Sequence, residues 1–159
     1  MKQKELSRWM KGIVVLGFIC VLFLDAVWVP QLGLDIARET PDLQRMFWPC
    51  LIYFWISTIP VMYFMALVWQ MASEIGRDNS FCLKNALRLR TCSLLAAADT
   101  VYYLVGGVVL LSMGLLHIGI AIIGMGVCAV GAAISVLCAA LSHLTRKAAD
   151  MRSENDLTI

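Results

Sequence analysis

Charged side chains are missing from three long stretches of this 159-residue chain, and their absence restricts the fold more than any other feature. From Gly12 to Leu34 the one charged residue is Asp25. From Met46 to Ser73 there is none, with Arg45 and Glu74 bracketing 28 residues. From Thr91 to Thr145 the one carboxylate is Asp99, accompanied by His117 and His143. The chain is 60% hydrophobic and 15% charged, against roughly 45–50% and about 25% in soluble domains. Water cannot accommodate that much apolar surface, because exposed patches beyond about 300–600 Å² are rare on soluble monomers.

A bilayer accommodates it. A hydrocarbon core about 30 Å thick takes roughly 20 apolar helical residues. The last stretch is too long for one span and divides at Gly114–Gly119, where two glycines and His117 suit a surface turn. Four spans are expected, at about 12–30, 46–71, 91–114 and 118–142, with a loop at 72–90 and a tail at 143–159, all in one transmembrane domain. The fold class is all-α: an integral membrane antiparallel four-helix bundle, with a short amphipathic helix before the third span. Trp9 and Trp28 flank the first span and Trp48 and Trp69 the second. These spacings correspond to roughly 28 and 32 Å of helix, the separation of the two interfacial aromatic belts. Trp55 does not fit the belts and is expected inside the bundle.

Eleven of the 13 basic residues fall at one end: Lys2, Lys4, Arg8, Lys11, Arg77, Lys84, Arg88, Arg90, Arg146, Lys147 and Arg152. Arg38 and Arg45 fall at the other. The positive-inside rule then puts both termini and the 72–90 loop in the cytoplasm. No small-x-small cleavage site follows the first span, so it reads as a retained helix rather than a signal peptide. Lys2 stands where myristoylation needs glycine, and no prenylation box ends the chain. A net charge of +2 gives no reason to expect direct contact with nucleic acid. The six cysteines form no CxxC pair and no metal-ligand spacing, and a reducing cytoplasm disfavours a disulfide framework.

Within the spans, Pro60 withholds a donor from the Ile56 carbonyl and predicts a kink in the second helix. The Ser57 and Thr58 hydroxyls are candidates to satisfy the freed backbone. The fourth span is rich in Gly and Ala, with Gly124/Cys128 and Ala129/Ala133 at small-xxx-small spacing; bundle packing or homodimerisation follows from such a face. Asp25 and Asp99 are the intramembrane carboxylates, each costing roughly 2.5–3.5 kcal/mol if placed centrally. Asp25 lies about one turn from the outer end and can reach water. Asp99 lies roughly 12 Å in from the cytoplasmic side and needs a partner, a cavity or a proton, with Tyr63 as a candidate donor. No arrangement of nucleophile, base and acid appears, nor a phosphate loop. Neither enzymatic activity, a cofactor nor a metal site is expected.

The loop opens with a turn at Ser73–Asn79, and a helix start follows at Ser80 or Cys82, with Phe81 anchoring it. Lys84 and Arg88, and Leu83 and Leu87, recur at i,i+4, which suits a basic amphipathic helix at the lipid surface. The run Ser80-Phe81-Cys82-Leu83-Lys84-Asn85-Ala86-Leu87-Arg88-Leu89-Arg90 resembles the "Pro/Ala-Phe-Ser, then Asn, then Leu-Arg" signature of a bacterial membrane family, domain-of-unknown-function family 2975. The ending Ser153-Glu154-Asn155-Asp156-Leu157-Thr158 is similar to that of many members, as are Ile59-Pro60 and the outer Leu34–Glu39 segment. Ser80 and Cys82 depart from the signature, and Cys is a weaker N-cap than Ser. Asp25 and Asp99 belong to no motif of that family.

The resemblance implies four transmembrane helices, no assigned activity, and an association of members with small helix-turn-helix regulators. The leading expectation is a non-enzymatic regulatory protein of the bacterial cytoplasmic membrane with a cytoplasmic recognition face. Phe81 and Asn85 would fix the loop helix to the bundle, and Lys84, Arg88 and Arg90 would present charge. Ser153, Glu154, Asn155, Asp156 and Leu157 would be read by a soluble partner, for instance a small DNA-binding regulator. The alternative is a small transport or membrane-stress (peptide-immunity) component that uses Asp99 and the Pro60 kink. A weaker third class is an accessory subunit of a larger complex.

Overall fold

The computed structural model describes residues 3–39, 44–45, 47–114, 116 and 118–157. The expected turn at His117 and the terminal Thr158 and Ile159 lie outside the described residues. Five helices follow in order: α1 (Gln3–Phe23), α2 (Val29–Glu39), α3 (Phe47–Ile75), α4 (Leu83–Ser112) and α5 (Ile118–Leu157). Among the described residues four helices are long and apolar enough to cross a membrane, the first being the continuous run Gln3–Asp35 through α1 and into α2. Large apolar side chains cover their outer surfaces, including Trp9, Trp28, Trp48 and Trp69, as expected where lipid is the solvent.

The helix that carries the first expected span does not stop at Pro30. Helix continues through it to Glu39, and the join between α1 and α2 is a π turn at Leu24–Trp28. Pro30 has no N–H to give the carbonyl of Ala26. The chain widens by one residue, and the Val29 N–H bonds the Leu24 carbonyl instead. Gly33 then lets α2 approach α3, since a Cβ there would sit 2.9 Å from the Phe47 ring.

The amphipathic helix expected before the third span is not separate. Cys82 occupies the N-cap in extended geometry with no side-chain cap bond, and α4 runs unbroken from Leu83 to Ser112. No proline or glycine lies between Leu83 and Tyr103 to interrupt it. Gly114, at φ +70°, closes α4 in the left-handed conformation that glycine tolerates. The segment expected as a tail is also helix, with α5 extending to Leu157.

Small residues zip α5 to α4. Between Ala121 and Thr145 the half-buried and buried positions on α5 fall at Ala121, Gly124, Cys128, Gly131, Ser135, Cys138, Ser142 and Thr145, an alternation of three and four that keeps one stripe facing its neighbour. Ser142 Oγ donates to the Ala86 carbonyl (2.7 Å), Ser135 Oγ to that of Ser93 (3.0 Å), and Cys128 Sγ approaches that of Thr100 (3.9 Å). A Cβ on Gly131 would fall on Thr100 Oγ1, so glycine permits the approach. The expected Ala129/Ala133 pair faces outward instead. A compact core of Leu67, Met71, Cys92 and Cys138, flanked by Phe64 and Leu89, joins α3, α4 and α5.

Candidate functional site

Two regions collect the polar residues. The first is a cavity of about 410 Å³ between the spanning helices. α1 contributes Ile13, Val14 and Gly17, α3 contributes Pro60, Phe64 and Met65, and α5 contributes Gly131 and Ile134. α4 contributes Asp99, whose Oδ1 is buried without a hydrogen-bond partner among the described residues. Tyr63 does not supply that partner: it is turned outward, one position from the cavity-lining Phe64. The site is therefore a lone carboxyl oxygen in an otherwise apolar chamber.

Beside it, α3 and α4 are clasped by tyrosines that sequence reasoning missed. Tyr53 stacks on Tyr102, with ring centroids 4.2 Å apart and an interplanar angle of 10°. Each hydroxyl donates to the other residue's carbonyl, at 2.5 and 3.0 Å. Tyr103 shares a 2.7 Å hydrogen bond with Ser57 Oγ. The available signal was the four tyrosines inside the expected spans, Tyr53, Tyr63, Tyr102 and Tyr103, since each buried phenol needs a hydrogen-bond partner. Ser57 and Thr58 do not relieve the Ile56 carbonyl. Both hydroxyls reach back to Phe54, at 2.7 and 3.3 Å, because a helical Ser or Thr bonds carbonyls three or four residues behind it. Trp55 is likewise not inside the bundle; it is 44% exposed, and its indole N–H donates to the Asp25 carbonyl beside the π turn (3.3 Å). Asp25 itself is half-buried there.

The second region is the basic end. Asn85, only 3% exposed, donates through Nδ2 to the Ser80 carbonyl (3.1 Å) and accepts from Arg88 Nη1 (3.1 Å). Arg88 also approaches Glu74 at 3.9 Å, so its charge turns inward, whereas Lys84 and Arg90 face out. Phe81 is 57% exposed and does not pack into the bundle; Asn85 ties down the loop. α1 is pinned to the same loop. Ser7 Oγ donates to the Ala72 carbonyl (2.6 Å), and Ser80 Oγ donates to Gln3 Oε1 (3.3 Å).

Burial on α5 stops at Ala149, and Asp150–Glu154 are exposed. Ser153 Oγ donates to the Asp150 carbonyl (2.7 Å). Asn155, Asp156 and Leu157 belong to the helix by their backbone, and their side chains lie outside the described residues. Lys84, Arg88 and Arg90 thus all lie in the first turns of α4, where Arg88 alone bonds Asn85, and Ser153 and Glu154 lie near the end of α5. Among the described residues no group of three His, Cys, Asp or Glu side chains could hold a metal ion.

The chain is 26% identical over 158 residues to the "Uncharacterized membrane protein YoaS" of Bacillus subtilis (strain 168), covering 95% of this chain and 96% of that protein. No solved structure matches. The family model described as "Protein of unknown function (DUF2975)" matches residues 31–159, from inside α2 through α5. This is a membrane protein, and it belongs to the DUF2975 family.

Proposed function

We propose that the chain is a non-enzymatic regulatory protein of the bacterial cytoplasmic membrane that binds a soluble partner at its basic end. In this reading the spans form an antiparallel bundle with both termini and the α3–α4 loop in the cytoplasm. Eleven basic residues at one end against two at the other support that direction. The observation that carries the partner reading is the last two turns of α5. They continue as helix beyond Ala149, where burial by the rest of the chain stops. A helix with exposed faces can be read by a groove on another protein. The Ser142–Ala86 bond clamps this extension to the start of α4, where Lys84 and Arg90 add outward charge. The occupant fits a small DNA-binding regulator, so DNA is contacted by the partner and not by this chain. Affinity capture from membranes with and without residues 153–159 tests the role. Loss of specific soluble partners from the truncated chain is expected, and an unchanged set refutes it.

A second reading, transport or defence against membrane-active peptides, is favoured by the unpartnered Asp99 oxygen in the four-helix cavity. An intramembrane carboxyl in a cavity is a standard element of ion or proton paths. Flux into proteoliposomes and cellular sensitivity to membrane-active peptides, each measured for Asp99→Asn, decide it. If neither changes, this reading is excluded.

A further inference from the structure

We propose that the junction of α1 with the end of α3 is a binding site for a phosphate-bearing anion, the headgroup of an anionic phospholipid. Lys4, Arg8, Lys11 and Arg77 surround a cleft of about 370 Å³, with Ser7, Ser73 and Gly76 along its floor. Lys4, Arg8 and Lys11 stand at i, i+4 and i+7, which places three cations on one face of α1. Arg77 reaches the same cleft from the turn after α3. The floor is built by close packing. Ser7 is buried and bonded to the Ala72 carbonyl, and a Cβ on Gly76 would sit 2.8 Å from Ser7 Oγ.

The cations are not spent on internal acids. The two ion pairs among the described residues are Arg38–Asp35 and Arg88–Glu74, so Glu74, near the end of α3, is already engaged with Arg88. Asp78 follows Arg77 in the turn and Glu5 lies on the flank of α1; neither forms an ion pair with the four. Lys11 Nζ is held 5.2 Å from the centre of the Trp69 ring. That contact sets the depth of the cleft, since interfacial tryptophan rings lie at headgroup level. Basic pockets between transmembrane helices at that level suit anionic headgroups.

The geometry also separates a lipid from free phosphate. Arg8 is shared with a second groove of about 540 Å³ along α1, lined by Glu5, Trp9, Gly12, Ile13 and Leu16, so one carboxylate stands beside Arg8 where the apolar residues begin. A Cβ on Gly12 would meet nothing within 4 Å, so the groove is open. Arg8 thus stands between the cationic cleft and an open, mainly apolar face of α1, the division a phospholipid presents.

Native mass spectrometry of the delipidated full chain in detergent tests this with phosphatidylglycerol, phosphatidylcholine and inorganic phosphate as probes. The wild-type chain is expected to retain phosphatidylglycerol at least about tenfold better than phosphatidylcholine. Binding should weaken about fivefold for each cation removed in Arg8→Gln, Lys11→Gln and Arg77→Gln. The charge-preserving Arg8→Lys and Arg77→Lys pair should keep most of the preference, and Arg38→Gln at the other end should leave it intact. Inorganic phosphate that fails to displace the lipid supports the headgroup assignment. Phosphate that binds as well as the lipid would overturn it in favour of a free anion. Equal retention of the two lipids by the wild-type chain, or an undiminished preference in the triple variant, removes the site altogether.

Discussion

Gly131→Ala is the sharpest test of the α4–α5 seam. The added Cβ would fall on Thr100 Oγ1, while the next nearest atoms, Thr100 Cβ and the Ala96 carbonyl, stand at 3.6 and 3.8 Å. Thr100 cannot easily turn away, because its hydroxyl donates to the Ala96 carbonyl at 2.7 Å. Either that bond breaks or the helices separate, and forced overpacking of this kind costs about 1–3 kcal/mol. Opposing it is the helix-propensity gain of Gly→Ala, up to about 1 kcal/mol. A net loss of about 1–2 kcal/mol is expected. Thr100→Ala alone removes only a hydroxyl bonded within its own helix and should cost under about 1 kcal/mol. In Gly131→Ala/Thr100→Ala the new methyl meets only atoms at ordinary van der Waals distance. The double variant should therefore match Thr100→Ala or exceed it in stability. Reversible unfolding in mixed micelles, titrated with dodecyl sulfate, measures all three, and the double-mutant cycle isolates the coupling. Strictly additive effects, or a Gly131→Ala chain more stable than wild type, would show that glycine is not required for the approach.

Other outcomes follow from single contacts. Asn85→Ala leaves the Ser80 carbonyl and Arg88 without their partner; a loss of about 1–3 kcal/mol is expected, read as faster proteolysis between Gly76 and Cys82, and unchanged cleavage contradicts it. Tyr53→Phe removes one of the two reciprocal carbonyl bonds but keeps the ring stack, so it should cost about 0.6 kcal/mol, whereas Tyr53→Ala should cost several-fold more in the same unfolding assay. A membrane-impermeant maleimide should reach half-exposed Cys82 from the cytoplasmic side alone, while buried Cys92 and Cys138 stay unlabelled until the chain unfolds; labelling of Cys82 in intact spheroplasts would reverse the proposed direction.

The four helices long and apolar enough to cross a membrane are legible in the sequence because burial in lipid penalises every charge, and the penalty leaves long charge-free runs that need no tertiary knowledge to read. Boundaries follow a different physics and are harder to see. Pro30 looks like a stop, yet a π turn absorbs its missing donor, and the helix runs on to Glu39. Arg90 looks like the edge of a surface helix, yet nothing in the residues after it breaks helix, so α4 passes straight through. Pairings between spans are harder still. The Tyr53–Tyr102 clasp and the Gly131–Thr100 approach depend on which faces meet, and hydropathy is blind to that. The same limit governs the candidate sites. Asp99 is conspicuous in the sequence as an isolated carboxylate, but its chamber needs helices drawn from all four spans. The four cations of the α1–α3 cleft appear in sequence only as members of a positive-inside count. Position along the membrane normal is written in composition, whereas position around each helix is decided by packing. Any binding function of this chain depends on the second.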